Sequence, residues 1–251
     1  MTGMFSSAAI LIAAAAAARG LWSPCGLSMV SAINPLAERA RGNRYWLTAI
    51  WFILGSLAGG LVLGGASGIG AMLVRALGVR ADAALAVGAA GCLVAVAADL
   101  RLAGFHLPLH PRQVNERWLG SYRRWIYAAG FGVQIGVGFA TYIMTAATYL
   151  LVLLAALTGS PAGALIAGLS YGVLRGLAVL LSARCRTPQA LLALHRRLSE
   201  LGPPSERFVM LAEAGIGLWL AYQVSGPVLI IMGAVLIAMV IAPRTARTVG
   251  A

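Results

Sequence analysis

The segment Gly20-Leu21-Trp22-Ser23-Pro24-Cys25-Gly26-Leu27-Ser28-Met29-Val30-Ser31 decides how the rest of the chain is read. It sets a proline, two glycines, three serines and a cysteine inside a stretch otherwise apolar enough for a membrane. In hydrocarbon every backbone N–H and C=O must be satisfied by the chain itself. Such a break therefore survives only when buried in protein or lining a wet cavity. Proline removes a donor, glycine permits close approach, and serine hydroxyls cap the freed groups. Of these residues only Cys25 has redox chemistry of its own.

The flanking sequence argues for a bilayer. The 251 residues are 60% hydrophobic and 10% charged, and a membrane-spanning helix needs about 20 mostly apolar residues. The expected fold class is all-α, a polytopic helical membrane protein. Apolar spans are expected at 5–34, 45–73, 81–102, 125–157 and 161–182, followed by a long apolar run at 208–241. Ser225-Gly226-Pro227 near the middle of that run predicts a hairpin of two short spans, seven in all. One long kinked sixth helix is the alternative.

All 19 basic residues are arginine, and the net charge is +12. They are spread over the connections rather than gathered in one patch, which argues against a nucleic-acid partner. The first, third and fifth connections hold 13 arginines and the second and fourth hold 2. The positive-inside rule then places the odd connections in the cytoplasm and the N-terminus outside a bacterial-type cytoplasmic (inner) membrane. Residues 1–7 lack the basic start of a secretory signal, so the first apolar run is expected in the mature protein. No nucleotide loop, hydrolase triad or zinc pattern is present, and no metal or cofactor is expected. His106 and His110 are four apart, but Pro108 between them opposes a helical metal pair. His195 belongs to a basic segment expected to lie against anionic lipid headgroups.

A second interruption lies at 130–148, where Thr141, Thr145 and Thr148 share one helical face. Laying 20–32 over 136–148 sets Cys25 opposite Thr141, and the following helices agree, with Gly55 and Gly59 opposite Gly172 and Gly176. A unit of three spans must insert in opposite senses in its two copies. The reading is an inverted repeat of three plus three helices, 1–104 and 125–224, joined by a basic cytoplasmic connection at 105–124, with an added helix and tail at 225–251. Its predicted central cavity is lined by Ser23, Pro24, Gly26 and Ser28 from one break. From the other come Gln134, Gly136, Gly138, Thr141 and Thr145. Charges within spans cost about 2.5 to 3.5 kcal/mol to insert, so Arg175 and Glu213 are expected to face the interior. Pairing between them and a structural ion pair near the interface are both open. Arg19 and Asp99, nearer span ends, are expected to snorkel.

Ser23-Pro24-Cys25 in the first broken helix, the three-plus-three repeat and the outside N-terminus together resemble the transmembrane thiol-disulfide family of CcdA and the membrane domain of DsbD. That family sits in a broader group with LysE-type exporters. The resemblance implies thiol-disulfide electron transfer, or assistance to maturation of exported cytochrome c-type proteins. Cys25 would be catalytic, and the partner a thioredoxin-like protein or an exported client. The second repeat has Thr141 where the family has its partner cysteine, and a hydroxyl cannot exchange with a disulfide. Cys25 would then pair with Cys92, form a mixed disulfide with another protein, or sit in a fold kept for other work. The alternative is a small-solute exporter of LysE-like architecture, and a third reading is a non-catalytic subunit whose basic loops dock a partner. A lesser resemblance is to MauF-like proteins of methylamine dehydrogenase maturation. Cys92 reads as helix packing. Cys185 reads as a loop residue whose neighbours Arg184 and Arg186 favour thiolate.

Overall fold

The break at Ser23 is made by a serine followed by a proline. In the computed structural model, which describes residues 2–105, 107–108 and 117–241, α1 (Thr2–Arg19) passes through one 3₁₀ turn (Gly20–Trp22) into α2 (Pro24–Ala32). Ser23 is extended, and its Oγ accepts from Gly26 N at 3.0 Å and donates to Gly20 O at 2.7 Å. Pro24 fills the first helical position, where no donor is needed. The same device starts α3 (Pro35–Ala40) after Asn34. His106, His110, Pro111, Arg112 and the tail arginines Arg244 and Arg247 lie outside the described residues.

The remaining elements are α4 (Tyr45–Ala76), α5 (Ala81–Asp99), the short α6 (Trp118–Ser121), α7 (Arg124–Val137) and α8 (Ala147–Leu157). After them come α9 (Pro161–Leu177), α10 (Pro188–Val224) and α11 (Gly226–Ile241). Among the described residues the regular structure is helical, with no strand. Four stretches are long and apolar enough to cross a membrane: Gly3–Trp22, Tyr45–Ala76, Ala81–Asp99 and Pro161–Ser182. Two expectations change. The stretch 125–157 is two short helices, because α7 stops at Gly138 (φ 75°) and the chain stays irregular until α8. The basic connection after α9 is helical from Pro188 and continues without interruption into the apolar run, the two forming α10. The break expected after Val224 is present, with Ser225 between α10 and α11.

Small residues on two faces of α4 position everything else. One face meets α7, Phe52 against Gly132 and Ser56 against Gly136, so the two helices run parallel. The other meets α9, Gly60 against Gly172 and Gly64 against Gly168, with the numbering running in opposite directions. A Cβ on Gly60 would fall 2.5 Å from Gly168 O and 2.9 Å from Gly172 Cα. Only glycine lets the backbones approach this closely, the usual means of helix association where no hydrophobic drive separates helix from lipid. Ser56 Oγ donates to Gly172 O at 2.7 Å across the same contact. Gly55 and Gly59 therefore do not play the part of Gly172 and Gly176: the first pair faces α7, whereas the second faces α4 itself.

The turn that follows α9 (Ala178–Ser182) is fastened to the segment leading into α4. Tyr45 OH donates to Val179 O at 2.8 Å and Ser182 Oγ to Ile33 O at 2.7 Å, while Leu36 N donates to Cys185 O at 3.3 Å. Beside them Glu38 is wholly buried. It accepts from Thr48 Oγ1 and Arg41 Nη1 at 2.7 Å and from Tyr127 OH at 2.9 Å. α1 packs on α8 and α9, and α10 packs on α5, α1 and α11.

Replacing Gly60 with leucine will lower the thermal unfolding temperature of the detergent-solubilised protein, overpacking costing about 1 to 3 kcal/mol. Gly65→Ala, where a Cβ meets nothing within 4 Å, will leave it unchanged or slightly raised. Equal stability of the two variants would contradict the packing described.

Candidate functional site: a cavity between two broken helices

A cavity of about 450 Å³ opens where the two interrupted helices meet. Arg19 and Trp22 reach it from the first break, Tyr142 to Ala146 from the second, and Asp99 and Arg101 from the end of α5. Gly202, Pro203 and Glu206 of α10 close one side.

Asp99 holds the second break in place. Its Oδ1 accepts from Ala146 N at 2.7 Å and its Oδ2 from the Thr145 hydroxyl. Thr145 Oγ1 in turn accepts from Ala147 N at 3.2 Å. A carboxylate on one helix thus caps the start of another, satisfying donors that a broken helix leaves open. The first break is held from α10. Arg19 Nη1 donates to Ser205 Oγ at 3.0 Å and Gly202 O at 3.4 Å, and its Nη2 lies 3.6 Å from Glu206. Trp22 Nε1 donates to Leu198 O at 2.6 Å. Arg19 and Asp99 accordingly turn inward to partners rather than snorkelling.

One turn of α9 touches both breaks. A Cβ on Gly138 would sit 3.0 Å from Tyr171 OH, and one on Gly20 2.6 Å from the Arg175 Cζ. Glycine is required at Gly138 by its φ of 75°, whereas at Gly20 a larger residue would have to displace the Arg175 guanidinium.

Of the predicted cavity residues, Thr145 lines this space. Ser23 and Pro24 cap and open α2. At Gly26 a Cβ would lie 2.5 Å from Leu21 O. Ser28 and Gln134 are half-buried. Gly136 packs on the Ser56 backbone, and Gly138 ends α7. Thr141 is 1% exposed, and its Oγ1 has no hydrogen-bond partner. Cys25 is buried among Met29, Phe52, Tyr127 and Ile135, away from the cavity lining. Arg175 and Glu213 are both buried, yet among the described residues they form no ion pair with each other. Arg175 lies against Gly20. Glu213 lies one turn before Gly217, which packs on Cys92 of α5. Sequence reasoning did not connect Asp99 with Thr145, nor did it single out Trp22, Tyr142 or Tyr171. The available signal was an acid ending one apolar run and a threonine entering another.

All three cysteines are buried and unbridged. Cys185, outside the membrane-length helices, has its thiol pushed up by burial, against the thiolate expected from Arg184 and Arg186.

These features define an all-helical protein with four helices of membrane-crossing length and apolarity and a cavity between two broken helices. The chain is similar to proteins named methylamine utilization protein MauF. It is 31% identical over 168 residues to that of Paracoccus versutus, covering 62% of this chain and 58% of the relative. Identity to the Paracoccus denitrificans protein is 31% over 159 residues, 62% of this chain and 57% of the relative. For Methylophilus methylotrophus it is 29% over 229 residues, 88% and 76%. The chain thus spans less than two thirds of the Paracoccus relatives' length. No family model matches, and no solved structure matches.

These relatives overturn the resemblance to CcdA and DsbD, and with it thiol-disulfide transfer and cytochrome c biogenesis. They give no support to a LysE-like exporter either. Ser23-Pro24 is no family signature, because a capping residue followed by proline is a general helix start. It recurs here at Asn34-Pro35, Ser160-Pro161 and Thr187-Pro188.

Thr145→Val will leave an Asp99 oxygen without its donor and lower the unfolding temperature, at a cost of about 1 to 3 kcal/mol. Thr145→Ser, which keeps the hydroxyl, will recover most of the loss. A valine variant as stable as the parent would show that Asp99 does not anchor the second break.

Proposed function

We propose that the chain is a multi-pass integral membrane protein of methylamine utilization, related to MauF and acting through the cavity between its two broken helices. The observation that carries this reading is 31% identity over 62% of the chain to the Paracoccus versutus protein. The four apolar helices fit it, and the lipid bilayer is its first partner. Within it the halves 1–104 and 125–224 form an inverted repeat related through the α4–α9 contact. The N-terminus lies outside, the arginine-rich connections lie in the cytoplasm, and α10 and α11 complete seven spans. Parallel packing of α4 on α7 and antiparallel packing of α4 on α9 agree with that arrangement.

Complementation tests the role. Expressed in a Paracoccus denitrificans strain deleted for MauF, the chain will restore growth on methylamine and will fractionate with the membrane. Membrane-localised protein without growth would remove the methylamine assignment. Release by alkaline carbonate washing would remove the integral-membrane one.

A further inference from the structure

We infer that the recess at the start of α4 is a binding site for the headgroup of an acidic phospholipid. This inference rests on the integral-membrane reading above but not on the methylamine role. The recess has a volume of about 630 Å³ and brings together Arg39 of α3, Arg44 before α4 and Arg186 after α9. Asn43, Tyr45 and Trp46 complete its polar and aromatic wall.

Three observations point to an anion at a bilayer surface. First, the recess has no carboxylate in its lining. The nearby acid, Glu38, is wholly buried and already engaged by Arg41, Thr48 and Tyr127. Among the described residues Arg39, Arg44 and Arg186 form no salt bridge, so three exposed guanidiniums share one concavity with nothing to neutralise them.

Second, the recess is built rather than incidental. Its arginines come from segments more than 140 residues apart, held together by Tyr45 OH on Val179 O, Ser182 Oγ on Ile33 O and Leu36 N on Cys185 O. Guanidinium forks held on a fixed floor match the paired oxygens of a phosphate.

Third, the recess stands where a lipid headgroup would be. It adjoins the first turn of α4, a helix of membrane-crossing length. Trp46 at its rim is 60% exposed. Farther along the same end, Trp51 and Trp125 lie 6.2 Å apart and Trp118 and Tyr122 5.6 Å apart. Exposed Trp and Tyr beside arginines mark the headgroup level of a bilayer. An acyl chain descending beside Trp46 and Leu47 would carry its phosphate to the three guanidiniums.

The test uses the full chain in nanodiscs of phosphatidylcholine mixed with phosphatidylglycerol, extracted and weighed with retained lipid by native mass spectrometry. The parent will retain phosphatidylglycerol over phosphatidylcholine. The R39Q/R44Q/R186Q variant will lose that preference by about fivefold for each arginine removed. R39K/R44K/R186K will keep part of it, and R75Q/R80Q, at the other end of α4, will keep all of it. Circular dichroism and gel filtration of the triple glutamine variant confirm that it remains folded. Unchanged retention by that variant would overturn the site, as would equal retention of the two lipids by the parent. Displacement of the lipid by millimolar inorganic phosphate, with no dependence on lipid charge, would show a free-phosphate site and overturn the lipid assignment. Failure of the parent to enter nanodiscs would instead count against the membrane reading itself.

Discussion

Backbone-to-backbone contact at the α4–α9 crossing sets where the neighbouring helices can lie. Gly60, Gly64, Gly168 and Gly172 remove the side chains that would hold these helices apart. Dispersion across the bare backbones, with Ser56 donating to Gly172 O, holds the pair together. Because α9 is fixed so closely, Tyr171 and Arg175 come to rest against Gly138 and Gly20, the glycines of the two interruptions. A bulky residue in the crossing would move α9 outward and draw Tyr171 and Arg175 away from both breaks.

The interruptions are expensive, and the structure shows where their polar groups go. Ser23 satisfies its own break locally, by accepting from Gly26 and donating to Gly20. The second break has no such residue at its start. It recruits Asp99 from α5, which takes the Thr145 hydroxyl and the Ala146 amide. One break is thus closed from within its own strand of sequence and the other from a different helix. The cavity lies between these two solutions, with Arg19 and Glu206 as its opposing charges.

The difference explains what could be read in advance. Membrane-length helices, the break at Ser23 and the break after Val224 follow from hydropathy, proline and capping chemistry, which act over a few residues. The role of Gly60 and Gly64 is not legible in sequence, since a glycine stripe does not say which helix it will face. In sequence Asp99 looks like a span-end charge, because its partners are more than forty residues away. A thiol relay fails for a related reason: Pro-Cys is a local signal, while Cys25 sits in a packed apolar cluster and forms no disulfide. Arg175 and Glu213 are both interior, but their surroundings are set by different helix pairs, which sequence spacing does not reveal.

The interruptions of two separate helices face one another across a single cavity. The most direct measurement is thiol cross-linking in native membranes, with Trp22→Cys and Tyr142→Cys introduced together after the native cysteines are replaced. Both positions line the cavity, so a short bifunctional maleimide will join them and shift the protein's mobility after proteolytic cleavage between the two. Efficient labelling of each cysteine without any cross-link would contradict the account.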